Sequence, residues 1–85
     1  MSKQVWKYKM GIGHWPMVIH RNAKFCAIHA QGDSVYMWAE VQSGLETEIR
    51  KFYIAMTGET VPEPSYYIGS AFLQSGIVAH VFEIV

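Results

Sequence analysis

Apolar and aromatic runs of six to ten residues recur from one end of this chain to the other, each cut off by Gly, Pro, Asn, Asp or Ser. Runs of that length between turn-forming residues suit strands joined by short connections and leave little continuous sequence for helices. The expected fold is all-β: a small antiparallel sandwich or barrel of six to seven strands, closed by pairing of early and late strands, with residues 1–85 forming a single β-rich domain. No signal core or long apolar stretch is present, and both ends read as used, so no linker or second domain is expected.

Val5 to Met10 sets Trp6, Tyr8 and Met10 against Lys7 and Lys9, the period-two alternation of a half-buried strand. Gly11-Ile12-Gly13 with Trp15-Pro16 reads as a turn. Met17 to His20 is a short second strand ended by Arg21-Asn22, and Lys24 to Ala30 a third. Gln31-Gly32-Asp33-Ser34 joins it in a hairpin to Val35–Val41, with Val35, Met37, Ala39 and Val41 on one face and Tyr36, Trp38 and Glu40 on the other. Tyr66 to Leu73 and Ile77 to Val85 form a second hairpin about Gln74-Ser75-Gly76. The last run is apolar on both faces, as in a central or covered strand.

Residues 43–57 admit two readings. As a helix over about 44–56, giving an α+β fold, Ser43 caps, Glu46 completes a capping box, and Leu45, Ile49, Phe52 and Met56 share a stripe. As a strand, Glu48 to Met56 supplies Ile, Phe and Tyr and stops at Thr57-Gly58. The rhythm of the rest of the chain favours the strand.

The core of so short a domain is marginal without help. Cys26 has no partner for a disulfide, which fits a reducing cytoplasm. Charged residues are 16% of the chain against 51% hydrophobic ones, so apolar and aromatic surface must face outward, and self-association or burial against a partner is expected. Seven basic residues balance seven acidic ones. A long nucleic acid or a membrane surface is therefore not expected as a partner.

The runs Val5-Trp-Lys-Tyr8, Met37-Trp-Ala39, Arg50-Lys-Phe-Tyr-Ile54, Thr57-Gly58 with Val61-Pro62, Tyr67-Ile-Gly-Ser70 and His80-Val-Phe-Glu83, in that order, resemble a family of small proteins often encoded by bacteriophages and prophages and classed as a domain of unknown function. The resemblance covers nearly the whole chain, although Gly11–Pro16 replaces a shorter polar linker. It implies a β-rich fold and a phage or mobile-element origin, and it moves 43–57 further towards strand. It carries no catalytic residues.

No reactive centre is expected, and no cofactor. His14, His20, His29 and His80 with Cys26 lack the paired spacing of a metal site, since Cys26 and His29 stand an odd number of positions apart on one strand. Cys26, between Phe25 and Ala27, reads as a buried thiol. Ser70, His80 and Glu83 can be arranged on paper as a nucleophilic triad, but no nucleophile elbow surrounds Ser70. Gly69 reads instead as a point where a neighbouring backbone or ring comes close.

Candidate binding residues are His14 and Trp15 at the tip of a glycine turn, the aromatic pair Tyr36 and Trp38, and the cations Arg21, Lys24, Arg50 and Lys51 as a modest anion patch. A competing reading folds Trp15 back over an open end of the fold. Core packing accounts for most rings, because Lys7 and Lys9 project away from Trp6 and Tyr8, parting cation from stacking surface. With the resemblance, the expected function is that of a non-catalytic phage accessory protein. It acts in the host cytoplasm by binding and inhibiting a host protein such as a defence component, and forms a homo-oligomer. The alternatives are a sponge holding a nucleotide signal between subunits and a phage structural accessory.

Overall fold

A computed structural model describes residues 2–85, and every regular element among them is a strand. These are β1 (Lys3–Met10), β2 (Gly13–His20), β3 (Lys24–Gln31), β4 (Ser34–Gln42), β5 (Thr47–Met56), β6 (Ser65–Phe72) and β7 (Val78–Ile84). They build two antiparallel sheets, a three-stranded one in the order β1-β4-β3 and a four-stranded one in the order β2-β5-β7-β6. Packed face to face, the sheets make a small sandwich. Among the described residues no helix is long and apolar enough to cross a membrane.

Alternation decides what each sheet hides. On β4 the row Val35, Met37, Ala39 and Val41 is buried, as read from the sequence, and Tyr36, Trp38 and Glu40 point outward. From the opposite sheet Met17, Ile19, Phe52, Ile54, Ala71, Ala79 and Val81 meet that row in one core. Phe25 crosses between the sheets, its ring edge-on to Phe52 at 5.5 Å. β7 lies between β5 and β6, which explains why both its faces are apolar.

The stretch 43–57 resolves as a strand. A helix would have buried Ile49 together with Phe52, whereas Phe52 is buried and Ile49 lies open, on opposite sides of β5. The expected closure by pairing of early with late strands does not occur. β1 pairs with β4 and β2 with β5, so each N-terminal strand joins a mid-chain partner. Gly11–Pro16 is not a loop either. Only Gly11 and Ile12 connect the strands, and His14, Trp15 and Pro16 pair with Tyr53, Phe52 and Lys51. Trp15 lies over Gly11, where a Cβ would fall 2.6 Å from its ring, so glycine is what lets the indole close this corner.

The hairpin loops lock to each other. Gly32, at φ 63°, takes the first central position of the β3–β4 turn. The carbonyl of Gly32 accepts from Gln74 N–H at 3.0 Å, and Asp33 Oδ1 accepts from Ser75 N–H at 2.8 Å, tying this turn to the β6–β7 turn of the other sheet. Each open edge carries a feature that discourages further strand pairing: lysines on β1, Pro16 on β2, and bulges at Phe25/Ala27 on β3 and Tyr67/Gly69 on β6.

Arg50 faces inward and forms the strongest polar tie. Its Nε and Nη2 donate to the two oxygens of Glu83 at 2.6 Å each, and Nη1 donates to the Ala23 carbonyl at 3.1 Å. The hydrogen bonds to Glu83 hold the guanidinium protonated above its ordinary value. The same group lies 4.5 Å from the Phe25 ring, so one side chain joins β5 to β7 and to the start of β3. Lysine keeps the charge but cannot reproduce the planar fork. Arg50→Lys should therefore lower stability by about 2 kcal/mol in urea unfolding, the scale of a lost charge-assisted hydrogen bond.

Tyr8 makes a second testable case. Its hydroxyl is buried with no hydrogen-bond partner among the described residues, and burial raises its pKa above the ordinary phenol value. The unfolded chain then ionises first as pH climbs through about 10, so stability is complete below that pH and declines above it. Tyr8→Phe should raise stability by about 1 kcal/mol at neutral pH, since it deletes an unsatisfied group. It should also flatten the alkaline decline, read as unfolding midpoints from pH 8 to 11.

Candidate functional site

With one face of each sheet spent on the core, the contact surfaces are the two outer faces, and they differ in chemistry. On the three-stranded sheet, register sets Lys7 opposite Trp38 and Lys9 opposite Tyr36, while on the other flank of β4 stand Lys24 opposite Glu40, Ala27 opposite Trp38 and His29 opposite Tyr36. Lys7 Nζ sits 4.3 Å above the Tyr36 ring and 5.7 Å from that of Trp38, and donates to Gln31 Oε1 at 2.6 Å. Tyr36 and Trp38 are 6.3 Å apart, and His29 meets Trp38 edge-on at 6.1 Å. Within β1 the expected separation holds, since Trp6 and Tyr8 pair with Ala39 and Met37 on the core side, but cation and ring still meet on the outer face across the sheet. The ring partners of Lys7 belong to β4.

The outer face of the four-stranded sheet carries large exposed apolar side chains among polar ones. Val18 and Ile49 stand directly opposite each other and are both open to solvent. Phe72 is 78% exposed, and Tyr67, also exposed, packs edge-on to Phe82 at 5.5 Å. Lys51 shares this face with them. Within it runs a relay of hydrogen bonds: Tyr67 hydroxyl with Ser70 Oγ at 2.7 Å, Ser70 Oγ with His80 Nδ1 at 2.7 Å, and His80 Nε2 with Thr57 Oγ1 at 2.9 Å. Ser70 and His80 meet because they are paired across β6 and β7. Glu83, the third member drawn on paper, lies on the core side with Arg50, so the relay ends on a threonine.

The residues singled out from the sequence are scattered by the fold. Tyr36, Trp38 and Lys24 share the outer face of the three-stranded sheet. His14 is on β2 with its ring edge-on to Tyr53 at 4.9 Å, and Trp15 points the other way, so neither occupies a loop tip. The Trp15 ring lies against Gly11 and stays 36% exposed. Arg21, Lys24, Arg50 and Lys51 do not form one patch: Arg21 sits in the β2–β3 connection 3.8 Å from Glu46, Arg50 is turned inward, and Lys51 and Lys24 lie on different sheets. Lys7, Lys9, His29, Val18, Ile49 and Phe72 were missed. Lys7, Lys9, Val18 and Ile49 meet neighbours on strands remote in sequence, whereas His29 and Phe72 face Tyr36 and Val78 across their own hairpins.

Cys26 is exposed, not buried, because the β3 bulge takes it out of the alternation. It borders a cleft of about 130 Å³ at the seam between β3 and β6, shared with Ile28, Ile68, Gly69 and Ser70. Here the atoms nearest to a Cβ at Gly69 belong to the Ile28 side chain. Among the described residues no three His, Cys, Asp or Glu side chains gather as a metal site.

These features define a class, a small seven-stranded β-sandwich whose distinctive surfaces are two open sheet faces. The chain belongs to a family described as a domain of unknown function, DUF7352, whose model matches residues 1–85. No curated protein and no solved structure matches it.

Proposed function

We propose that this chain is a non-catalytic binding protein of phage origin that occupies a host protein, with a component of bacterial defence as the target class, and that the outer face of the four-stranded sheet makes the contact. The observation that carries the reading is the set of exposed apolar side chains on that face: Val18 beside Ile49 towards one end, Phe72 towards the other and Tyr67 between them, with Lys51 next to Ile49. Several large apolar side chains left open on one face of a small domain mark an interaction site. Aromatic side chains are the usual anchors of such contacts. The Tyr67–Ser70–His80–Thr57 relay adds directional polar groups inside the same face, which supports a partner of defined shape. In the absence of its target, the same face pairs with a second copy, giving a homo-oligomer.

Sequestration of a nucleotide signal needs an enclosed pocket with cationic walls. The seam cleft carries apolar and small side chains, so that alternative draws no support from it. Nor does any particular feature favour a packaging role.

Changing Ile49→Asp together with Phe72→Asp tests the reading, because both side chains are exposed and the core is untouched. The wild-type chain should run above its 9.7 kDa monomer mass in size exclusion with light scattering, and the variant at it. Wild type should also hold one host protein in a complex that re-forms from purified components, and expression should restore phage growth on a defended strain. The variant should do neither. Identical behaviour of the two proteins would refute the assignment.

A further inference from the structure

The geometry points to a second, independent site: the outer face of the β1-β4-β3 sheet binds single-stranded nucleic acid. Although the chain is neutral, its charge is not evenly spread. Lys3, Lys7 and Lys9 project from β1 and Lys24 from β3, all exposed, on either side of the central strand. The acidic residue facing them on the sheet is Glu40, and Lys3 already engages it at 3.4 Å. The remaining acids lie elsewhere: Asp33 is held in the hairpin turn, Glu46, Glu48, Glu59 and Glu63 sit at or near the ends of β5 and in the loop after it, and Glu83 is held by Arg50. The result is a cationic face on a neutral molecule.

Charge alone would suit any polyanion. The rings narrow the choice. Tyr36 and Trp38 occupy the middle of this face and are only half-buried, with His29 beside them. Ala27, the residue opposite Trp38 on β3, is too small to cover the indole from that side. Flat rings along a strand, flanked by lysines about 7 Å apart at alternate positions, match unstacked bases with a phosphate track beside them. Duplex DNA keeps its bases stacked and is read by an element that enters a groove, which a flat sheet face cannot do. An acidic peptide would use the lysines and leave the rings idle. A mononucleotide would engage only a fraction of an open face that has no enclosing wall. In the free protein Lys7 rests over Tyr36, so its exposed ammonium must swing to a phosphate, uncovering the ring for a base.

The test is titration of a fluorescently labelled ten-nucleotide dT oligomer with the full chain at several salt concentrations, followed by anisotropy and by quenching of tryptophan emission. Contacts from Lys7, Lys9 and Lys24 predict a slope of log affinity against log salt of about −2, near 0.7 for each phosphate neutralised. Lys7→Gln with Lys9→Gln should weaken binding at least tenfold at low salt and flatten the slope by about 1.4. Trp38→Leu should weaken it between about 5-fold and 160-fold, the range for one lost base stack, with little change in slope. Lys51→Gln and the Ile49→Asp, Phe72→Asp pair, on the other sheet, should bind as wild type does. If Trp38→Leu proves unfolded by circular dichroism, Tyr36→Leu and photocrosslinking to this face replace it. The inference is overturned by no binding at low salt, by equal affinity for duplex DNA, polyphosphate or poly-glutamate, by full competition from a mononucleotide at equal phosphate, or by insensitivity to the ring substitutions.

Discussion

Everything in this molecule depends on a core only two side chains deep, one layer from each sheet. Met37, Ala39 and Val41 from one side and Phe52, Ile54 and Val81 from the other are essentially removed from water. Burial of that apolar surface is the main force holding the sheets together. A core so thin has no layers to spare, which explains why ties at its margins matter. Arg50 gathers Glu83, the Ala23 carbonyl and the Phe25 ring at one place, while the two hairpin turns bond to each other at another. Both ties hold strands of one sheet against strands of its neighbour.

A sandwich of this thickness leaves two large outer faces, and here they are chemically distinct. The four-stranded sheet shows valine, isoleucine and aromatic side chains, and the three-stranded sheet shows lysines around a pair of rings. A net charge of zero conceals this division, because the acids are spent at turns, strand ends and the Arg50 clasp. The open edges carry lysine, proline or bulges, features that discourage strand addition. Contact through faces is the mode such a construction leaves available.

Much of this architecture is legible in the order of the residues. The hairpins about Gly32 and Gly76 follow from turn chemistry between alternating runs, and the buried and exposed rows of β4 follow from period two. Legibility ends where the fold overrides a local signal. Gly11, Gly13 and Pro16 look like a loop, yet Gly13 and Pro16 sit within β2, an edge strand where the missing N–H of proline is tolerated. Cys26 has the apolar neighbours of a buried thiol, but a bulge on β3 turns it outward, and no spacing in the sequence announces a bulge.

The sequence by itself determined that the chain is built of strands, and on most strands it determined which side chains share a side, because successive residues point to opposite faces by backbone geometry alone. Only the tertiary structure decided which strands are neighbours, since pairing β1 with β4 and β2 with β5 rests on contacts between residues far apart in the chain. That choice of neighbours put Lys7 over Tyr36 and Val18 beside Ile49. Each strand brought one part of a surface, and the register joined the parts.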